Sequence, residues 1–421
     1  MIGEIIAIGD ELTSGRIVNT TSSFAAIQLF AAGHDIFAMH TIGDTPSLIG
    51  EALMRAIERV DFVIVTGGLG ATSDDLTNEA VSEALKRPQT LYREILNQIQ
   101  PHIQGTANDV EILQKLAWLP EGAEVLNAES KMAGYLLVYN NTPIFFLPGV
   151  PGQMKQLFVE HVLPCLAGWT HDSRNHILQR TYRTFGISEN MINKQLKQLE
   201  HLTNIRIGYY PVDSEVHVSL TVSGQSREES EALFIETDTF ITKTLGETLY
   251  GFDQESMASV IGELLRQHDL HISVAESCTG GLIASKITET AGSSEWFIGG
   301  VVAYSNELKE QFLGVDKDLL SEHGSVSAPV ARAMAVGIAA KTGSSMSVSV
   351  TGVAGPTGGT LEKPVGTVHI GLVANGMTSD YHYQFSGNRR EIQEITAQTA
   401  LNHVRLSLLM HNKGDNNVRS D

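Results

Sequence analysis

Short aliphatic runs alternate with amphipathic stretches from Ile2 to about Leu163: IIAI, IVNTTSSFAAIQLFAAG, DIFAMHTIG, SLIGEALMRAIERV and DFVIVTGGLG. Apolar runs of strand length separated by helically spaced segments predict βαβαβ units and a parallel sheet covered on both faces. Gly33 and His34 mark a helix exit, Gly67 to Gly70 close the DFVIVT strand, and PIFFLPGVPGQMKQLF adds a buried strand, a Pro/Gly turn and a helix from near Gly152. One α/β domain over residues 1–168 follows.

Between about Asn175 and Gly251 the pattern changes. QRTYRTFGI, a helix over Glu189 to Leu199, the alternating VHVSLTVSG and a charged helix over Arg227 to Leu245 predict a small α+β linking domain over 175–252, with its sheet solvated on one face. It shows no catalytic cluster. A third, α/β domain over 255–412 reads as a helix over Met257 to His268, then LHISVAES, TGGLIASKITETAG, IGGVVAY and SNELKEQFLG. The Ala-rich helix Pro329 to Thr342, strands SMSVSVTG and TVHIGLVANG and a last helix over Ile392 to Met410 complete it. Residues 413–421 read as a frayed polar tail.

Over 421 residues, 42% apolar and 18% charged positions describe a chain that buries real cores. Lys+Arg 29 against Asp+Glu 48 gives a net charge of −19, a field that repels a phosphate polymer and excludes a nucleic-acid partner from the reading. Cys165 and Cys278, with no CxxC neighbour, build neither a disulfide framework nor a zinc site. MIGEIIAIGDEL lacks a basic n-region and no apolar run reaches the roughly 18 residues of a span, so a cytoplasmic protein with no membrane partner is expected.

Two regions carry candidate chemistry. In the first domain three strand ends bear acids or glycines: Asp10 and Glu11 in IGDEL, Asp44 in IGDTP, and Gly67, Gly68, Gly70, Asp74 and Asp75 in TGGLGATSDDLT. Carboxyl ends of parallel strands face one crevice. Glycines there let backbone approach a phosphate, and carboxylates hold a divalent cation or ribose hydroxyls, which suggests a metal-assisted pyrophosphate site with Asp10, Asp44 and Asp75 as ligands. The plainer alternative is that these acids cap helices, Asp75 foremost.

In the third domain LHISVAESCTGGLIASKI places Ser277, Cys278, Thr279, Gly280 and Gly281 between a buried strand and a helix, where amides can stabilise an oxyanion. Simple capping by Ser277 and a small buried Cys278 are the alternatives. VVAYSNELK puts Tyr304 at a strand end and Lys309 one turn into a helix capped by Ser305; the positive helix end lowers the lysine's proton affinity, as a base near neutral pH requires. A solvated lysine and a packed tyrosine are the alternatives there. TGVAGPTGG, with Thr351, Gly352, Gly355, Gly358 and Gly359, forms either a phosphate-wrapping loop or tight turns. Arg389 suits a phosphate or carboxylate, and Arg390 reads as a surface residue.

IGDEL, GRIVNT, GGLGATSDDLT and FFLPGVPGQMK resemble the molybdopterin-binding-like domain of the competence/damage-inducible CinA family, and ESCTGG, VVAYSNELK, TGVAGPTGG and FSGNR resemble its C-terminal nicotinamide mononucleotide deamidase domain. The resemblance implies a three-layer α/β/α first domain that hydrolyses ADP-ribose with a divalent metal (Mg or Co) and potassium. It also implies a third domain that is a Ser/Lys amidohydrolase without cofactor: Ser277 the nucleophile, Lys309 the base, Tyr304 a supporting hydroxyl, Thr351 and Arg389 near the substrate, Cys278 a bystander. A homodimer is expected. Ala71 stands where many relatives have proline, SKMAG at 130–134 where GTAPG is common, and Gln393 where a second basic residue is frequent. A pyrophosphatase with a vestigial third domain, and a non-catalytic pterin-binding or competence adaptor, stay open as alternatives.

Overall fold

Alternate side chains of the buried N-terminal strands serve two cores, because successive residues leave a strand on opposite faces. In β1 (Ile2–Ile8), Ile6 and Ile8 join Val63, Val65, Ile144 and Phe146 on one side, whereas Ile5 joins Phe62, Ile64, Phe145 and Leu147 on the other. Helices Pro46–Ile57 and Thr77–Ala84 cover the first face, and Thr20–Ala31 and Pro151–Leu157 the second, giving three α/β/α layers. The computed structural model describes residues 1–99, 115–127, 134–169 and 176–418.

The remaining strands of this unit are β2 (Asp35–Ile42), β3 (Phe62–Thr66), β4 (Gln89–Leu91), β5 (Trp118–Pro120), β6 (Glu124–Val125), β7 (Tyr135–Tyr139) and β8 (Thr142–Leu147). The main sheet runs β2-β1-β3-β8-β7-β6, and β4 pairs with β5 in a separate ribbon. Its first four strands are parallel, as expected, but β6 and β7 add antiparallel, so the sheet is mixed. The reason is local: Asn140 and Asn141 both have positive φ (48° and 65°), the conformation of a two-residue hairpin that folds β7 directly onto β8.

The chain divides into two compact units, Met1–Ile177 and Leu178–Asp421. In the second, β9 (His176–Phe185), β10 (Ile205–Val212), β11 (Glu215–Gly224) and β12 (Leu249–Phe252) form a sheet in the order β10-β11-β9-β12, beside helices Glu189–Leu196 and Arg227–Leu245. A further sheet runs β14-β13-β15-β16-β17, built from β13 (Ile272–Glu276), β14 (Phe297–Val302), β15 (Met346–Gly352), β16 (Thr367–Ala374) and β17 (Met377–Gln384). β14, β13 and β15 are parallel, and β16 and β17 are antiparallel additions. Val274, Val348 and Val350 face the core under Met257–Gln267, Leu282–Thr288 and the last helix, while Ala275 faces Val330, Met334 and Ile338 of Ala328–Thr342.

The last helix begins at Arg389, because the Asn388 side chain accepts from the Arg390 and Glu391 amides, and its backbone continues through the polar segment to Val418. It also joins the two sheets of this unit. Gln398 donates to Glu215, which carries Arg183, His217 and Tyr250 as well, and Arg405 donates to the carbonyls of Glu247 and Leu249.

Candidate active site

Two adjacent parallel strands deliver the central pair. Glu276 of β13 lies opposite Val302 of β14, so the residues that follow, Ser277 and Ala303, leave the sheet side by side; the Ala303 amide donates to the Glu276 carbonyl at 2.8 Å. Beyond Ala303 the chain turns into the helix Asn306–Leu313, whose Leu308 amide is capped by the Ser305 hydroxyl. One turn in, Lys309 folds back beneath the strand ends. Its Nζ lies 3.2 Å from Ser277 Oγ, 2.9 Å from the Ala303 carbonyl and 3.3 Å from the Tyr304 carbonyl. Lys309 is 1% exposed and Ser277 8%.

All three oxygens around the amine are uncharged. Burial therefore pushes Lys309 below the ordinary lysine range, with only a small opposing pull from Cys278. The expected direction holds, with desolvation the largest cause. A neutral amine has two N–H donors and one lone pair. As an ammonium Lys309 donates to Ser277 Oγ; in the neutral form, with the two donors on the Ala303 and Tyr304 carbonyls, the lone pair faces the Ser277 hydroxyl.

The loop after Ser277 is held from two sides. Gly280 (φ 63°) and Gly281 (φ 101°) make consecutive left-handed steps that an L side chain resists. Their amides are not free for an oxyanion: Gly280 donates to the Ser277 carbonyl and Gly281 to the Glu276 carboxylate. That corrects the expectation that both donate to substrate. Glu276, which the sequence reading left without a role, also accepts from Ile283 and Ala284; an acid placed just before a helix N-terminus was the available signal. From the opposite side Gln393 donates to the Cys278 carbonyl at 2.8 Å. Thr279 is buried, with its Oγ1 unpartnered among the described residues. The Cys278 thiol is buried and pushed up to about 12.

Arg389 donates to the Gly355 carbonyl and to the phenol of Tyr304, which is 59% exposed. It also lines a cleft of about 460 Å³ with Asn388, Arg390, Gln393, Ala354 and Pro356. The Thr351 hydroxyl donates to the Ser325 carbonyl at 2.7 Å, a bond within the fold. Gly352 is a packing glycine, since a Cβ there would sit 2.8 Å from the Thr367 carbonyl and 3.1 Å from Cys278 Sγ. Gly355 has φ 75° and supplies the carbonyl that Arg389 grips.

At the N-terminal strand ends Asp10 and Asp44 clasp one another, each carboxylate accepting the other's backbone amide at 3.2 and 2.8 Å. Burial raises Asp44, with Asp10, Glu11 and Asp74 adding repulsion. Asp75 is turned away to the Thr72 amide and hydroxyl. It is not the cap of Thr77–Ala84, whose N-cap position is Leu76. Among the described residues no three acidic, histidine or cysteine side chains group to hold a metal ion, and of the three expected ligands Asp10 and Asp44 face each other while Asp75 bonds Thr72. Gly67, Gly68 and Gly70 are tight-packing positions, where a Cβ would meet the Ile8 carbonyl, Thr77 Oγ1 and the Asp75 carboxylate. Ser130–Ala133 lie outside the described residues.

Three family profiles match successive stretches of the chain. The family profile described as "Probable molybdopterin binding domain" matches residues 4–168, the CinA KH domain profile 179–251 and the CinA C-terminal domain profile 254–408. A CinA-like protein of Desulfotalea psychrophila is 53% identical over 409 residues, 96% of this chain and 98% of that one. Another from Kosmotoga olearia is 38% identical over 413 residues, 97% and 99% of the two chains. The crystal structure of competence/damage inducible protein CihA from Agrobacterium tumefaciens aligns with 36% of this chain and 94% of its own, at 41% identity and a TM-score of 0.31. With relatives of that similarity along nearly its whole length, and three domain profiles in order, the chain belongs to the CinA family.

Proposed function

We propose that the C-terminal domain is a nicotinamide-nucleotide amidohydrolase, converting nicotinamide mononucleotide to nicotinate mononucleotide and ammonia. The carrying observation is the buried Lys309 amine 3.2 Å from Ser277 Oγ with only neutral oxygens around it. The substrate itself is implied by the likeness of ESCTGG, VVAYSNELK, TGVAGPTGG and FSGNR to the deamidase motifs.

Lys309 takes the Ser277 proton as Oγ attacks the carboxamide carbon. The tetrahedral intermediate collapses by breaking its C–N bond, and the Lys309 ammonium returns the proton to the departing ammonia. Lys309 then deprotonates water, which attacks the ester; Ser277 leaves as the alcohol and the carboxylate product is released. Arg389 and the glycine loop it grips orient the nucleotide.

The acids of the N-terminal strand ends have no comparable relay, since Asp10 and Asp44 hold each other's amides. The deciding experiment incubates the full chain with nicotinamide mononucleotide and separately with ADP-ribose, with and without chelator. Ammonia release that survives chelation and disappears in Ser277→Ala is expected; ammonia release undiminished in Ser277→Ala refutes the serine mechanism. AMP formation without ammonia would make the protein a pyrophosphatase instead.

A further inference from the structure

Glu276 sits one residue before Ser277, is 1% exposed, and bonds backbone groups on both sides of the Ser277–Lys309 pair. Its carboxylate accepts three backbone N–H groups across the turn that carries Ser277: Gly281 at 2.9 Å, Ile283 at 3.1 Å and Ala284 at 2.8 Å. Its carbonyl accepts the Ala303 amide at 2.8 Å, and the carbonyl of Ala303 in turn accepts from Lys309 Nζ at 2.9 Å. One residue thus ties the start of helix Leu282–Thr288 to the peptide that holds the base. Ser277 and Lys309 lie 32 positions apart, and their side chains meet at 3.2 Å.

We infer that Glu276 is a positioning residue for the deamidation reaction, its carboxylate setting the separation of Ser277 Oγ from Lys309 Nζ by fixing the 277–281 turn. The inference rests on the Ser/Lys reading of the site. A carboxylate is required, because three donors need acceptors on both oxygens and a carboxamide offers only one. In a glutamine, the amide nitrogen would meet a backbone N–H head-on and the turn would shift. A displacement of about 1 Å in a catalytic pair costs about 100-fold in rate.

The test compares the full-length wild type with Glu276→Gln and Glu276→Asp in two assays: ammonia release from nicotinamide mononucleotide, and the rate at which a fluorophosphonate labels Ser277. The expected result for Glu276→Gln is a kcat about 100-fold lower with KM within about 2-fold, and labelling slowed in parallel among folded molecules. Glu276→Asp, which keeps both acceptor oxygens on a shorter arm, falls between the two. Ser256→Ala, which removes the capping box of helix Met257–Gln267, provides a control that lowers Tm and leaves kcat unchanged.

Wild-type kcat and labelling in Glu276→Gln overturn the inference, as does a kcat loss fully accounted for by fewer labelled Ser277 sites. If Glu276→Gln does not fold, Glu276→Asp with wild-type kcat overturns it alone. A wild type that labels at Ser277 but releases no ammonia refutes the nicotinamide mononucleotide assignment while labelling still tests Glu276; one that does neither overturns both.

Discussion

Arg389 Nη2 donates to the Tyr304 phenolic oxygen over 3.1 Å, while its Nη1 donates to the Gly355 carbonyl at 2.8 Å. A single planar guanidinium therefore fastens the loop after β14 to the glycine loop after β15. Lysine has one donor centre and cannot reproduce the fork. Arg389→Lys is expected to lower kcat/KM about 10- to 100-fold. Tyr304→Phe, which removes one acceptor and leaves the Gly355 contact, should cost less than about 10-fold. Steady-state kinetics on nicotinamide mononucleotide rank the two, and a larger loss for Tyr304→Phe would assign the phenol a direct part in proton transfer.

Lys309→Met keeps the stem out to the ε position and removes the terminal nitrogen. The proton relay disappears while the apolar stem still packs, so kcat is expected to fall about 100- to 10,000-fold with far-ultraviolet circular dichroism unchanged. Residual activity within about tenfold of wild type would move the base elsewhere.

Because burial holds Lys309 below its ordinary value of 10.5, the acid limb of kcat/KM belongs below that value, with the rate rising as the amine loses its proton. For stability the sign is the same. Between the lowered folded value and 10.5 the unfolded chain binds more protons than the folded one, so unfolding free energy rises with pH across that window. Urea titrations of wild type and Lys309→Met at several pH values measure it: their difference should change in that window and stay flat below it.

Cys278 is the other nucleophile beside the site, yet its thiol is buried and pushed up to about 12, leaving almost no thiolate at neutral pH. Iodoacetamide should leave ammonia release intact, and Cys278→Ala should stay within about threefold of wild type, since it removes one small buried group. Rapid inactivation by the alkylating agent, prevented in Cys278→Ala, would return the thiol to the mechanism.

The strands carrying the site were legible because their apolar runs end abruptly at polar turns, and Ser277 and Lys309 fall at two such ends. Their meeting depends on the register that sets Glu276 against Val302, so the apolar pattern alone does not give it and the expectation comes from the family resemblance. β17 escaped the pattern because MTSDYHYQ has no apolar run. Its signal was the Asn375–Gly376 turn, whose positive φ values fold it back on β16, and Asn140–Asn141 played the same part in the first domain. Thr351 and Asp75 show what motif spacing leaves out: each side chain also bonds a group within the fold, Thr351 the Ser325 carbonyl and Asp75 the Thr72 amide.

The helix that starts at Arg389 grips the catalytic loops through its first turns and holds Glu215, Glu247 and Leu249 through Gln398 and Arg405. From Gln393 to Arg405 that is about 18 Å of rod at 1.5 Å per residue. One helix therefore braces both sheets of this unit, so the small middle sheet and the Ser277 turn share a single support.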